Sequence, residues 1–445
     1  MKFVMIGLLL FVQLFSPEKS AAELKPGDVL DQSNWQEAKG LLPEEVLKYF
    51  AAGEARASIV EAKDDWYRLD PEFQRFTEEN AGKYEINEQG YLIESATKSY
   101  PHWWRGLPFP KIDPQDPQAA TKIVYNQQAL RWAADDLATT SARVIWVGPR
   151  GKERHIVSGA VQMSFINRPS GPLPNPDDLW WKEVNYGIAP YELAGTSTMT
   201  WYYNDPGKWP SVWSFIPTIR RVRRLAASNM SDGFFGSAIA RNDFNIFIGP
   251  VSYFNWKIIG EQDLLVPIAT LDGPRFTMKR SAPLQYAVMP PNDSVWRVES
   301  PTNLTQWGFN TPDWAGAQWW PVNWLFAKRR VWVIEGSAKD PYYAYGRWIA
   351  YHDKQLPLGY YKIIYSTGGE YWKTLLNADL LITAEDGTRM FKLYAGLVAR
   401  DDRQNVTNVH DLIGKNEDGL NMMVETGLGI ANDMITTSVM MKTGK

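Results

Sequence analysis

What most constrains this chain is the succession of short, turn-punctuated segments that fills it from about residue 121 onward. The run HIVSGAVQMSF (155–165) alternates: Val157, Val161, Met163 and Phe165 fall on one face, Ser158, Gln162 and Ser164 on the other. That period of two is the mark of a strand with two unlike faces. TSTMTWYYN (196–204), SVWSFI (211–216), NWKIIG (255–260), DLLVPIA (263–269), LQYAVM (284–289) and RRVWVIEG (329–336) read the same way. So do YAYGRWIAYHD (343–353), GYYKIIY (359–365), EYWKTLL (370–376) and RMFKLYAGLVA (389–399), with turns such as Asp205-Pro206-Gly207 and Asp386-Gly387 between candidates. TKIVYNQQ (121–128) is read as a strand, ALRWAADDLA (129–138) as a short helix and ARVIWV (142–147) as the next strand. So many strands at close spacing predict a mainly β (α+β) chain built on one large antiparallel sheet.

Ahead of the strands, LPEEVLKYFAAGEA (42–55) predicts a helix, with Pro43 at its start and Glu44 and Glu45 in its first turn. Residues 64–118 are irregular and rich in proline and charge, an arm wrapping the core. At the N-terminus, Lys2 precedes an apolar run from Phe3 to Phe15. A membrane-spanning helix needs roughly 20 apolar residues, so this run suits the core of a secretory signal peptide. Small residues at Ser20 and Ala22 place cleavage between Ala22 and Glu23, giving a signal peptide over 1–22 and a single domain over 23–445. An exported, periplasmic protein is the expectation.

The chain has no cysteine. Disulfides, thiol nucleophiles, thiolate zinc sites and lipid attachment at a cysteine are therefore excluded. Lys and Arg number 47 against 50 Asp and Glu, a net charge of −3. Nucleic acid is not an expected partner for so balanced a chain. Four histidines, His102, His155, His352 and His410, are scattered without metal-ligand spacing, so no metal and no cofactor is expected. No GxSxG elbow or phosphate-binding glycine loop is present. Carboxylate doublets at Asp64-Asp65, Asp135-Asp136, Asp177-Asp178 and Asp401-Asp402 are read as solvated loop charges, because glycosidase pairs are brought together from separate strands. The anomaly is aromatic content, 21 Trp and 21 Tyr beside 18 Phe. Such side chains join a large apolar body to a polar tip and suit either a core or a greasy cavity.

One segment is more specific. Ile219-Arg220-Arg221-Val222-Arg223-Arg224-Leu225 sets four arginines in an apolar frame, Arg221 and Arg223 on one face of a strand and Arg220 and Arg224 on the other. Unless the strand is an edge, one pair turns toward the core. Asp232 and Asp243 lie near enough in sequence to partner it. Two readings stay open: an arginine–aspartate network locking strands, or an anion clamp at a cavity rim built from Arg221, Arg223 and Arg224.

WSFIPTIRRVRRL (213–225), SDG (231–233), NDF (242–244), NWKIIG (255–260), RRVWVIEGSAKDPYYAYGRWIAYHDKQ (329–355), YWK (371–373) and the start ELKPGDVL (23–30) together resemble the domain of unknown function 1329 family. Its members are described as LolA-like, or outer-membrane lipoprotein-sorting-like. The resemblance implies a curved antiparallel sheet forming an incomplete LolA/LolB-like barrel, with helices closing over an apolar cavity. It implies a carrier or chaperone for a lipid or other hydrophobic molecule, working with an RND-type (MMPL-like) exporter and an outer-membrane β-barrel protein, in peripheral contact with the membrane. The aromatics in strands beside the matching blocks, Trp201, Tyr203, Trp213, Phe215, Trp256, Trp332, Trp348 and Trp372, are the expected cavity lining. Two alternatives remain: a docking component that carries nothing, and a periplasmic hydrolase acting on glycan or lipid.

Overall fold

The computed structural model describes residues 24–225, 230–270, 273–283, 292–298, 305–411 and 423–443. The signal peptide read at 1–22, its Ala22–Glu23 boundary and the LQYAVM strand lie outside them. The elements in chain order are β1 (Val29–Leu30), α1 (Glu44–Ala51), β2 (Ala57–Val60), α2 (Pro71–Glu79), β3 (Tyr84–Ile86), β4 (Leu92–Glu94), α3 (Ala119–Arg131) and β5 (Asp136–Gly148). Next come β6 (Gly151–Ser164), β7 (Leu179–Ala189), β8 (Ser197–Tyr203), β9 (Ser211–Ile216), β10 (Arg221–Leu225), β11 (Phe254–Ile268), β12 (Arg275–Ser281) and β13 (Val295–Val298). The chain ends through β14 (Leu325–Ala338), β15 (Arg347–Asp353), β16 (Gly359–Tyr365), β17 (Tyr371–Ala384), β18 (Met390–Asp401), β19 (Val406–Asp411), β20 (Met423–Thr426) and α4 (Thr437–Thr443).

One antiparallel meander runs β10–β9–β8–β7–β6–β5–β19–β18–β17–β16–β15–β14–β11. Two parallel pairings, β12 with β17 and β2 with β14, make the whole sheet mixed. The first of them bends the sheet into a ring. The start of β5 pairs with β20, β20 with β13, β13 with β12 and β12 with the end of β17, while the end of β5 pairs with β19. The sheet is thus partly closed, which reduces the exposed edges that long sheets must otherwise protect.

Helix α1 forms where Pro43 and the first-turn glutamates predict it, and buries Val46, Leu47, Tyr49 and Phe50. Phe50 meets Trp320 edge-on at 5.3 Å and Tyr49 meets Trp319 at 4.9 Å, so this face is fixed by aromatic packing. Helix α3 corrects the sequence reading. TKIVYNQQ is helical, and of ALRWAADDLA only Ala129 to Arg131 belong to the helix, while Asp136 already starts β5. The physical reason is burial on all sides: every residue from Ala119 to Arg131 except Lys122 is buried. A helix buried all round shows no amphipathic period, and its β-branched Thr121, Ile123 and Val124 mimic a strand. Helix α3 packs against β11 and β18, inside the curve of the sheet.

The main core fills that curve. A second, smaller core lies where α4 packs on β8, β9 and β10, and joins Met199, Phe215, Leu428, Ile430, Ile435 and Met440.

Candidate functional site

The segments that carry the family resemblance converge on one buried carboxylate. Asp243 accepts a bond from Lys362 Nζ at 2.8 Å, from Lys373 Nζ at 3.2 Å, from the Tyr345 hydroxyl at 2.7 Å and from its own upstream Ala240 N–H at 2.9 Å. Its neighbour Asn242 accepts from the Tyr343 hydroxyl at 3.1 Å. Burial pushes the Asp243 carboxyl up, but the ammonium groups of Lys362 and Lys373 outweigh that and hold it down at about 2. A second pair, Lys392 with Asp379 at 2.8 Å, is buried nearby in sequence on β18 and β17. The Asp243 contacts pin the loop at residues 230–250 against the sheet, and that loop forms the roof of an inner cavity.

The inner cavity encloses about 570 Å³ of empty space, part of it open to solvent. Its floor is the polar face of β6, with Ser158, Gly159, Ala160 and Gln162, flanked by Thr139 and Ala142 of β5 and by Glu183 and Asn185 of β7. Register explains the grouping: Ala160 pairs with Asn185 and Gln162 with Glu183. Its roof is Phe234, Arg241, Phe244, Asn245 and Ile248; Leu393, Tyr394 and His410 close one side and Arg131, the last residue of α3, another. A relay crosses it. Arg131 Nη2 donates to Gln162 Oε1 at 2.9 Å, Gln162 Nε2 donates to Glu183 Oε2 at 3.1 Å, and Glu183 forms an ion pair with Arg241.

Arg241 thus takes the carboxylate directly, whereas Arg131 reaches it only through the neutral Gln162 amide. Burial lowers both, Arg131 and Arg241, to about 10, so both stay charged at neutral pH. His410 is pressed down to about 3 by burial and is neutral there; its Nδ1 lies 3.1 Å from the Tyr394 hydroxyl. Arg131 is 5 % exposed and its Nε and Nη1 have no partner. Neither has Nδ2 of Asn185, nor either amide atom of Asn245. Asn245 and Ile246 take left-handed backbone angles, φ 52° and 68°. Ile, being β-branched, is strained there. Helix α3 holds this strained corner, with Gln127 Nε2 and Gln128 Nε2 donating to Phe247 O at 3.1 and 2.8 Å.

A second space, an aromatic cleft of about 550 Å³, is walled by Tyr100, Trp104, Tyr125, Trp180, Tyr202 and Tyr203 with several prolines. Trp180 and Tyr125 stack at 6.3 Å, Trp104 tilts against Trp180 at 6.2 Å, and Tyr202 stacks on Trp181 at 3.8 Å. The Tyr202 hydroxyl and the Trp180 indole N–H are without hydrogen-bond partners. Trp132 and Trp181 stack at 4.2 Å, and the Arg131 guanidinium lies 4.6 Å from the Trp132 ring. The ladder Arg131–Trp132–Trp181–Tyr202 thus runs from a wall of the inner cavity to a wall of the cleft.

Of the expected lining residues, Tyr203 is the one that walls either space. Phe215 belongs to the small core under α4, with Trp201, Tyr203 and Trp213 packed half-buried beside it. Trp256 and Trp348 sit in an aromatic knot with Phe247, Phe254 and Tyr343, and Trp332 is buried in the main core beneath Lys354. Trp372 is half-buried and donates to Asp401 at 2.7 Å. The arginines are corrected as well. β10 ends the meander among the described residues, and Arg221, Arg223 and Arg224 are exposed on it. Charged side chains protect such an edge from pairing with other chains. Arg224 bonds Ser211 Oγ at 3.0 Å, Asp232 is exposed, and Asp243 meets lysines instead. Asp135 and Asp136 are not solvated loop charges: Asp135 pairs with Arg168 and Arg389, and Asp136 accepts the N–H groups of Leu428 and Ile430. Gln162 on the polar face of β6 was the one visible sign of the inner cavity. Lys362, Lys373 and Lys392 also left a trace, each a lone charge inside an apolar strand.

The sequence matches the family described as a protein of unknown function (DUF1329) over residues 29–415. No curated protein matches it. Among solved structures, a domain of the outer membrane lipoprotein-sorting type from Vibrio parahaemolyticus is 12% identical, with 72% of this chain and 97% of that one covered and a TM-score of 0.46. A DUF1329 family protein from Desulfovibrio piger is 13% identical over 74% of this chain and 99% of that one, at a TM-score of 0.45. A LolA superfamily protein from Nitrosomonas europaea is 10% identical over 72% and 98%, at 0.37. None of the three is similar enough to carry a function across.

Proposed function

The chain belongs to the DUF1329 family, and from that premise we propose that it is a non-enzymatic carrier that takes a hydrophobic small molecule into its aromatic cleft. The observation that carries this reading is the cleft itself, walled by six aromatic side chains and partly open to solvent. Small-molecule sites are mostly apolar with a few polar groups to fix orientation. Tyr202 and Trp180 bring to the cleft wall a hydroxyl and an indole N–H that have no hydrogen-bond partner. Trp348 and Trp256, expected to line an apolar cavity, pack in the main core instead.

Carriage is favoured over hydrolysis by the composition of the inner cavity. Glu183 is the one carboxylate among its lining residues, and Arg241 neutralises it. A glycosidase needs a second carboxyl group across the substrate. The proposal extends to place and partners: the apolar leader from Phe3 to Phe15 supports export to the periplasm. The family resemblance supports cooperation there with an RND-type exporter and an outer-membrane β-barrel protein.

The test is titration of the full mature chain with N-phenyl-1-naphthylamine, an uncharged aromatic probe, read by its fluorescence. Saturable binding that weakens at least tenfold in Trp180→Ala and Tyr202→Ala is the expected result. Binding that neither substitution changes contradicts the assignment to the cleft, and no binding contradicts carriage of an apolar molecule.

A further inference from the structure

We propose that the inner cavity is a second, separate site, one that binds the carboxylate of a small amphipathic acid through Arg131, with Asn185 and Asn245 as further donors. It stands on observations other than the aromatic cleft. Arg131 is a buried guanidinium of which only Nη2 is engaged, by a neutral amide. Asp379 acts on Arg131 only through space and is itself paired with Lys392, and a buried ion with no direct ion pair costs several kcal/mol, so such a group persists where a function or a ligand calls for it. Gln162 and Trp132 orient it: the amide fixes one nitrogen and the indole face lies 4.6 Å from the guanidinium carbon. Arg131, Asn185 and Asn245 all line the cavity, and Arg131 Nε and Nη1, Asn185 Nδ2 and the Asn245 amide are without hydrogen-bond partners.

Charge decides the class of ligand. Among the residues lining the cavity, Arg131 and Arg241 contribute two positive charges, Glu183 one negative, and His410 none. One positive charge is left over, which a monoanion neutralises and a dianion over-compensates. Guanidinium N–H groups match the planar geometry of a carboxylate. Beside the polar floor, Ala142, Ala160, Phe234, Phe244, Ile248 and Leu393 form the apolar part of the lining and give the body of the acid its surroundings. A neutral molecule of the same shape would leave Arg131 buried and unpaired, so the acid is selected over its alcohol.

The experiment is isothermal titration of the full mature chain at pH 7.5 with octanoate, with octanol and with inorganic phosphate. The expected result is octanoate binding at least tenfold tighter than either of the others, without displacement of N-phenyl-1-naphthylamine from the cleft. Arg131→Gln should abolish the preference for the acid. Should Arg131→Gln fail to fold, Asn185→Ala decides: it removes a buried amide N–H that has no partner, so it should fold, and it should weaken octanoate at least threefold while leaving octanol unchanged. Equal binding of octanoate and octanol, phosphate binding as tight as octanoate, or a preference that survives both substitutions overturns the proposal. Displacement of the naphthylamine probe by octanoate also overturns it, by placing the acid in the cleft, whereas failure of the probe to bind touches only the carrier reading.

Discussion

Lys362 reaches Asp243 at 2.8 Å with both side chains wholly shielded from solvent, and this pair ties β16 to the loop that roofs the inner cavity. Lys373 on β17 and the Tyr345 hydroxyl complete the shell around the same carboxylate. Removing one member of a buried ion pair costs about 3–5 kcal/mol, because the remaining charge is left uncompensated. Asp243→Asn strands two lysines and should lower unfolding stability by about that amount in urea titrations. Lys362→Met leaves Asp243 paired with Lys373 and should cost clearly less.

Two buried histidines give the stability of the fold a pH dependence. Burial, with Lys392 and Lys362 adding to it, holds His352 down at about 3; burial alone does the same for His410. Their folded values lie below the unfolded value of about 6.5, so their contribution is complete above pH 6.5 and is lost as pH falls toward 3. Each histidine should cost the fold about 2 kcal/mol between pH 7 and pH 5. Both ring nitrogens of His352 lack partners, so His352→Leu should be neutral or stabilising at pH 7 and should remove about half of that loss. Urea midpoints at the two pH values measure it.

Trp348 and Trp180 should separate stability from binding. Trp348 is fully buried among Phe247, Phe254, Trp256 and Tyr343, and the Lys362 ammonium lies 4.9 Å from its ring. Trp348→Ala should cost about 3–5 kcal/mol of stability with the affinity of the folded fraction for N-phenyl-1-naphthylamine unchanged. Trp180→Ala should do the reverse, with a small loss of stability and at least a tenfold loss of affinity.

Gly336 faces Trp348 across β14 and β15, and a Cβ built on it would lie 2.4 Å from that indole ring. Gly336→Ala forces the ring to move within a packed knot and should cost about 1–3 kcal/mol by thermal or urea unfolding.

The strands were legible because alternation and turn residues report directly on a sheet, as the run from His155 to Phe165 shows. Closure of the sheet was not, since the parallel pairing of Arg275 with Leu381 joins segments with no local signal in common. Helix α3 was misread for a related reason: burial on every side erases the period that distinguishes a helix from a strand. At the site, the family blocks around Asp243, Tyr345 and Lys373 were visible as motifs, but their meeting point depends on tertiary contact. Arg131 was invisible as a site residue, because a single arginine at a helix end carries no pattern.

Native mass spectrometry of the protein released gently from its native cells, followed by solvent extraction, tests carriage most directly. The account predicts a stoichiometric small hydrophobic molecule on the wild-type chain that is lost from Trp180→Ala and Tyr202→Ala. A clean protein mass, unchanged after incubation with membrane extract and identical in the variants, would contradict it.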